Sequence, residues 1–197
     1  MQESFDELID SYLQNQVGIS PFFLDKTLAA GLLAHANHLH QSNTMFLAGI
    51  GNKKIKDAAQ SMRSDKIHWL DKSSENEFEQ AFLLQVDQFI ERLNETCYAG
   101  INASEFHYAV YEKGTYYKRH KDQFQDNFDR KFSLITYLNT DWKDEDGGQL
   151  QTYQDEIPQK IQPHAQTAVL FKSNETEHEV TLANRTRMSI TGWLKRI

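Results

Sequence analysis

From Phe106 to the C-terminus the apolar residues of this chain stop recurring at helical intervals and fall into six short runs: 106–111, 116–120, 132–138, 149–153, 168–171 and 187–194. Asn139-Thr140-Asp141, Gly147-Gly148 and Ile157-Pro158 punctuate them as turns. No run of four to eight residues can bury a core alone, so they must pair into an antiparallel barrel or sandwich. Before Phe106 the period is helical. An amphipathic stretch begins at Ser4-Phe5-Asp6-Glu7-Leu8-Ile9, and Ser20-Pro21 reads as the start of a second helix running through 22–40. Phe78, Phe82, Val86, Phe89, Ile90 and Leu93, three and four apart, mark a third with one buried face. The expected fold is mainly β with supporting helices, one domain over 1–197, with the helices of about 1–42 packing on the barrel.

Composition narrows the function. Hydrophobic residues at 39%, of which aromatics make 12% of the chain, supply a real core. The net charge of −7 disfavours a surface that coats nucleic acid. No stretch of about eighteen apolar residues suggests a membrane span. Cys97 is the single cysteine, so an intrachain disulfide is excluded, and it reads as a small buried apolar residue. The acidic first ten residues lack the basic start and apolar run of a secretory signal, so a cytoplasmic location is expected. A protein or small-molecule partner fits better than nucleic acid or membrane.

The chemistry centres on His120-Lys121-Asp122. On a strand, His120 and Asp122 leave the same face and Lys121 the other. With His178 they make two imidazoles and one carboxylate, a set that caps one face of an octahedral metal and suits a non-haem Fe(II) oxygenase with open positions. Arg187 follows nine residues after His178 and shares a strand face with Ser189, Thr191 and Trp193, a face expected to line the barrel interior. An arginine in so apolar a strand calls for a buried anion.

Several separate segments then resemble the 2-oxoglutarate- and Fe(II)-dependent prolyl hydroxylases, most nearly the subgroup of the hypoxia-inducible-factor prolyl hydroxylases and their bacterial relatives. They are Arg63-Ser64-Asp65-Lys66-Ile67-His68-Trp69-Leu70, Arg130 ahead of Ile135-Thr136-Tyr137-Leu138-Asn139-Thr140-Asp141-Trp142, Gly147-Gly148-Gln149-Leu150, and His178-Glu179-Val180. The resemblance runs in order from about Thr44 to Trp193 and implies a double-stranded β-helix, a jelly-roll-like or cupin-like barrel. It implies that His120, Asp122 and His178 are the metal ligands and that Arg187 and Tyr137 hold the distal carboxylate of 2-oxoglutarate. Ile135 and Leu150 would wall its methylenes, with Tyr111 near the oxidisable end of the pocket. Tyr117 would sit beside the metal, and Arg130 and Asp65, with Arg63 and Trp69 beside them, would organise the substrate entrance. The charges of Arg130 and Asp65 could also pair with each other. Between Tyr111 and Tyr117 the family commonly carries Pro and several Gly, whereas this chain has Glu112-Lys113-Gly114-Thr115-Tyr116 and is one residue shorter. Residues 48–62, with Gly49, Gly51, Lys53, Lys54 and Lys56, stand where the family has a loop covering the substrate.

The implied activity consumes O2 and decarboxylates 2-oxoglutarate to succinate while hydroxylating a prolyl residue of a protein, a translation factor being one candidate, with ascorbate keeping the iron reduced. A dioxygenase of a free amino acid or small metabolite is the alternative, and a non-catalytic metal or 2-oxoglutarate sensor is a third reading. Outside this set, His35, His38 and His40 are spaced to bind zinc or to complement the end of a helix, and the second reading is preferred. His68, His107 and His164 are read as structural or surface residues. The acidic stretch 141–146 is read as a solvated hairpin end.

Overall fold

The longest helical pattern is realised with its caps. In the computed structural model, which describes residues 2–49, 62–123 and 128–197, helices form at Gln2–Asn15 (α1), Lys26–Gln41 (α2) and Glu77–Cys97 (α3). Asn76 caps α3 by accepting the N–H groups of Phe78 and Glu79 at 3.0 and 3.1 Å, and Glu77 and Glu79 place negative charge at the positive end of the helix. Phe82, Val86, Phe89 and Leu93 are all fully buried along one stripe. No helix among the described residues is long and apolar enough to cross a membrane.

The second helix begins later than expected. Val17–Ser20 is a strand (β1), and α2 starts only after Asp25, whose carboxylate accepts the Leu28 N–H at 2.8 Å. Pairing of Val17–Ser20 with a neighbouring strand and the sinking of Phe23 and Leu24 into the core outweigh the start signal at Ser20-Pro21.

Further strands are Phe46–Leu47 (β2), Lys66–Trp69 (β3), Ala103–Tyr111 (β4), Tyr117–His120 (β5), Arg130–Tyr137 (β6), Leu150–Gln154 (β7), Ile157–Ile161 (β8), Ala168–Lys172 (β9), Glu177–Val180 (β10) and Arg187–Lys195 (β11). They form two antiparallel sheets, ordered β1-β9-β6-β11-β4-β3-β2 and β5-β10-β7-β8. All six expected runs are strands. Ile157-Pro158, expected as a turn, instead opens β8; the turn is Asp155-Glu156, both at positive φ. Pro158 is tolerated because β8 is an edge strand with one unpaired side. The acidic stretch carries a single 3₁₀ turn at Asp144–Asp146. Of the expected covering loop, 50–61 lie outside the described residues.

This is the double-stranded β-helix architecture, with helices on one face of the large sheet and the small sheet facing the other. Alternation sorts the residues between the two sides. Phe106, Tyr108 and Val110 of β4, Leu134 of β6, Leu170 of β9 and Ile190 of β11 pack with the helices. Ile135, Tyr137, Leu150, Ile161, Val169 and Phe171 pack between the sheets, and a cleft of about 680 Å³ opens there. Phe89 is the hub of the helical side, its ring 5.5 Å from those of both Phe5 and Phe23. Phe89→Ala is expected to lose about 3 to 5 kcal/mol of stability, measured as a lowered urea midpoint at unchanged slope.

Candidate active site

Short β5 delivers its last residue to the cleft opposite β10. His120 and His178 are direct cross-strand partners, their ring centroids 4.3 Å apart. Asp122 turns back between them: Oδ1 lies 3.4 Å from His120 Nε2 and Oδ2 3.6 Å from His178 Nε2. The three potential ligand atoms lie within 4.8 Å of one another.

The partners of the other ring nitrogens decide what these atoms are. His120 Nδ1 is 2.8 Å from the Lys118 carbonyl and His178 Nδ1 is 3.3 Å from that of Thr176. A carbonyl only accepts, so each Nδ1 carries the proton and each Nε2 presents a bare lone pair. Two bare nitrogens and a carboxylate thus converge on one point, an arrangement that a cation stabilises. Asp122 is held from behind: its Oδ2 accepts the Ser133 hydroxyl at 2.6 Å, which in turn accepts from Ser173 at 2.9 Å. Burial pushes the His178 imidazole down to about 4, against the raising effect of Asp122. Burial also raises Asp122, but His178, His120 and the Ser133 hydroxyl outweigh it and hold the carboxyl well below the usual range. His178 and Asp122 are therefore ready for a metal at neutral pH without losing protons.

Deeper in the cleft, Arg187 is 1% exposed. Its Nη1 donates to Ser189 Oγ at 3.2 Å, its Nε is enclosed without a partner, and among the described residues no carboxylate pairs with it. The Tyr137 hydroxyl is enclosed and unpartnered too, and the Tyr111 and Tyr137 rings lie 4.9 and 5.0 Å from the guanidinium carbon. Burial pushes the Tyr137 hydroxyl up to about 12, with Arg187 opposing, so it stays a neutral donor. A buried guanidinium lacking a counter-charge, its Nε without a partner, and an unpartnered hydroxyl are costly; a carboxylate from outside satisfies both, bidentately at the arginine. Ile135 and Leu150 line the same cleft. Gly148, at φ +61°, allows the loop after the 3₁₀ turn to pass close by, since a Cβ there would stand 3.1 Å from Arg187 Cδ.

Residues 106–195 match the model of the 2OG-Fe(II) oxygenase superfamily. A prolyl-4-hydroxylase from Pseudomonas putida superposes with a TM-score of 0.88 at 30% identity, covering 98% of this chain and 99% of that one. The chain belongs to the 2-oxoglutarate/Fe(II) oxygenases. It is a prolyl-hydroxylase-like 2-oxoglutarate-dependent dioxygenase. A prolyl hydroxylase from Trichoplax adhaerens, solved with a hypoxia-inducible-factor oxygen degradation domain peptide fragment, has a TM-score of 0.87 at 26% identity over 99% of this chain and 90% of its own. The viral collagen prolyl hydroxylase of Paramecium bursaria Chlorella virus-1, at 17% identity and a TM-score of 0.65 over 93% of this chain and 97% of that one, shares the fold. The family implies Fe(II), 2-oxoglutarate and O2, and both the bare donor triad and the buried Arg187, which has no carboxylate partner among the described residues, fit them.

At the mouth of this oxygenase the charges pair differently from one expectation. Arg130 and Asp65 do not meet. Asp65 is gripped by Nε and Nη2 of Arg63 at 2.7 and 2.6 Å. Arg130 binds Glu105 at 2.9 Å and the Asp122 carbonyl at 3.2 Å, its guanidinium 3.4 Å above the Trp193 ring. Tyr117 stacks on His120 at 3.6 Å, with Arg63 4.3 Å from its ring. On the opposite face of β5, Arg119 binds Glu156 and Glu177 at 2.7 and 2.6 Å and lies 4.0 Å from the Tyr153 ring. His35 pairs with Glu79 at 3.3 Å.

His107, expected to be structural, lines the cleft. It shares a face of β4 with Ala109 and Tyr111, and that parity was its signal. Ser133 and Ser173 carried none, since only the fold brings them to Asp122.

Ser133→Ala is expected to weaken binding of Co(II), as a stand-in for Fe(II), about tenfold, measured by optical titration with secondary structure unchanged. Burial also pushes His107 down to about 4. An unfolded histidine titrates near 6.5, so between these values the unfolded chain binds more protons. The stability of the metal-free protein is full above that window and falls as pH drops through it. At pH 5 His107 accounts for a loss of about 2 kcal/mol relative to pH 7, and His107→Phe should abolish that share in urea unfolding.

Proposed function

We propose that this enzyme hydroxylates a prolyl residue within a protein substrate. His120, Asp122 and His178 hold Fe(II), which supplies O2 activation when bound. Arg187 and Tyr137 fix the distal carboxylate of 2-oxoglutarate, with Tyr111, Ile135 and Leu150 around its chain, while Arg63, Asp65, Tyr117, Arg130 and Trp193 shape the substrate mouth. The observation that carries the reading is the buried Arg187 guanidinium, its Nε without a partner and no carboxylate paired with it among the described residues, in the same cleft as the bare triad: one site asks for a carboxylate and a cation together. The aromatic and cationic rim supports a peptide, as does likeness to an animal enzyme solved with one.

The overall reaction balances. O2 contributes one oxygen atom to succinate, formed from 2-oxoglutarate with loss of carbon dioxide, and the other to a ring C–H of proline, which becomes C–OH. The chain's own part is positional. It keeps the two imidazole protons on Nδ1, anchors the cosubstrate from the buried end and walls the reacting carbon away from water.

The test is peptide mass spectrometry on an extract of cells lacking this protein, supplied with Fe(II), 2-oxoglutarate and ascorbate. Wild-type enzyme should add one oxygen to a proline of a defined protein, and His178→Ala should add none. Succinate without an oxygenated peptide would point to a free amino acid or small metabolite instead. Neither product, with metal bound, would point to a sensor.

A further inference from the structure

On the cleft face of the large sheet, His107 sits in a row with Trp69 on one side and Thr191 on the other, set by the pairing of β4 with β3 and β11. Its ring meets Trp69 edge-on at 5.0 Å and Trp193 at 5.6 Å, and the residue is 2% exposed. Its hydrogen bond is made at Nδ1, 3.0 Å from the Tyr108 carbonyl. That carbonyl can only accept, so the proton is on Nδ1 and Nε2 is an acceptor.

The other strong acceptors of the mouth are already engaged. Glu105 takes Arg130 and Lys195, Asp65 takes Arg63, and Asp122 belongs to the triad. Arg63, Lys121, Arg130 and Lys195, which also line the cleft, only donate. His107 Nε2 has no internal donor among the described residues.

Resting on the prolyl reading above, we propose that His107 is a specificity-determining residue: its Nε2 accepts a main-chain N–H of the peptide beside the target proline. Proline has no N–H of its own, so the bond reads a neighbouring residue. It holds the substrate against the wall formed by His107 and the two touching indoles by an interaction that carbonyl-directed cations cannot make.

The experiment uses the full-length enzyme and the oxygenated peptide found by the mass-spectrometric screen, together with analogues in which each amide flanking the proline is replaced in turn by an ester. The ester removes one N–H and leaves the chain's shape. In wild type one ester position should raise KM about five- to tenfold, as expected for a lost neutral hydrogen bond, with kcat little changed. In His107→Met the parent peptide should show the raised KM and that ester no further rise; His107→Gln, which keeps an acceptor, should recover part of the effect. A structural role would leave the ester penalty intact in the variant. Co(II) titration confirms a folded site in each, with His107→Phe substituting should the Met variant fail to fold. An ester penalty absent in wild type, or equal in wild type and His107→Met, overturns the proposal while the prolyl reading stands. If wild type oxygenates no peptide, the prolyl reading itself fails and the proposal falls with it.

Discussion

Consecutive side chains of a pleated strand leave it on opposite sides, and the three central strands of the large sheet use both sides fully. On β11, Met188, Ile190 and Leu194 enter the core beneath the helices, while Arg187, Thr191 and Trp193 enter the cleft. A slip of one residue would drive Arg187 into the helical core and Ile190 into the cleft, so the register is held by packing on the far side from the chemistry. The same holds on β4, where Phe106, Tyr108 and Val110 fix the placement of His107 and Tyr111. Precision in the cleft is thus inherited from close packing behind it.

Within the cleft the polar groups divide into two kinds. Arg63 with Asp65, and Arg130 and Lys195 with Glu105, pair with one another and give the mouth its shape. Arg187, the Tyr137 hydroxyl and the imidazole nitrogens facing Asp122 are not satisfied internally in this way. An uncompensated buried group costs stability, so the second kind specifies what must arrive from solvent. One half is cationic and the other anionic, and their side-by-side placement separates a site for a metal and a keto-acid from an ordinary polar crevice.

The legible parts of the sequence were those with enough repeats to show a period. The buried stripe of α3 and the long alternations of β4, β6 and β11 were of that kind. β10 has four residues and β2 two, too few for any period, although β10 carries His178. Asp155-Glu156 makes a turn at positive φ without the glycine or asparagine that advertises one, and the proline beside it drew the turn to the wrong place. The triad and Arg187 stood out only in combination, since an H-x-D alone is common by chance and gained weight from His178, Arg187 and Trp193 and from the family resemblance. Ser133 and Ser173 did not, since a serine acquires its role only from what the fold sets beside it. The partner of Arg130 was hidden for the same reason.

The strand bearing His120 is the terminal strand of the small sheet, its outer edge covered, among the described residues, only by the short segment at Met62 and Arg63. β5 is matched to β10 at His120 and Tyr117, with an irregularity between, and Arg119 clasps it from outside through Glu177 and Glu156. An ion shared by His120 and His178 would cross this same seam, stapling the margin strand to its neighbour. Loading the centre is then also an act of closing the barrel: without the ion, the seam is where the sheet would first come unzipped.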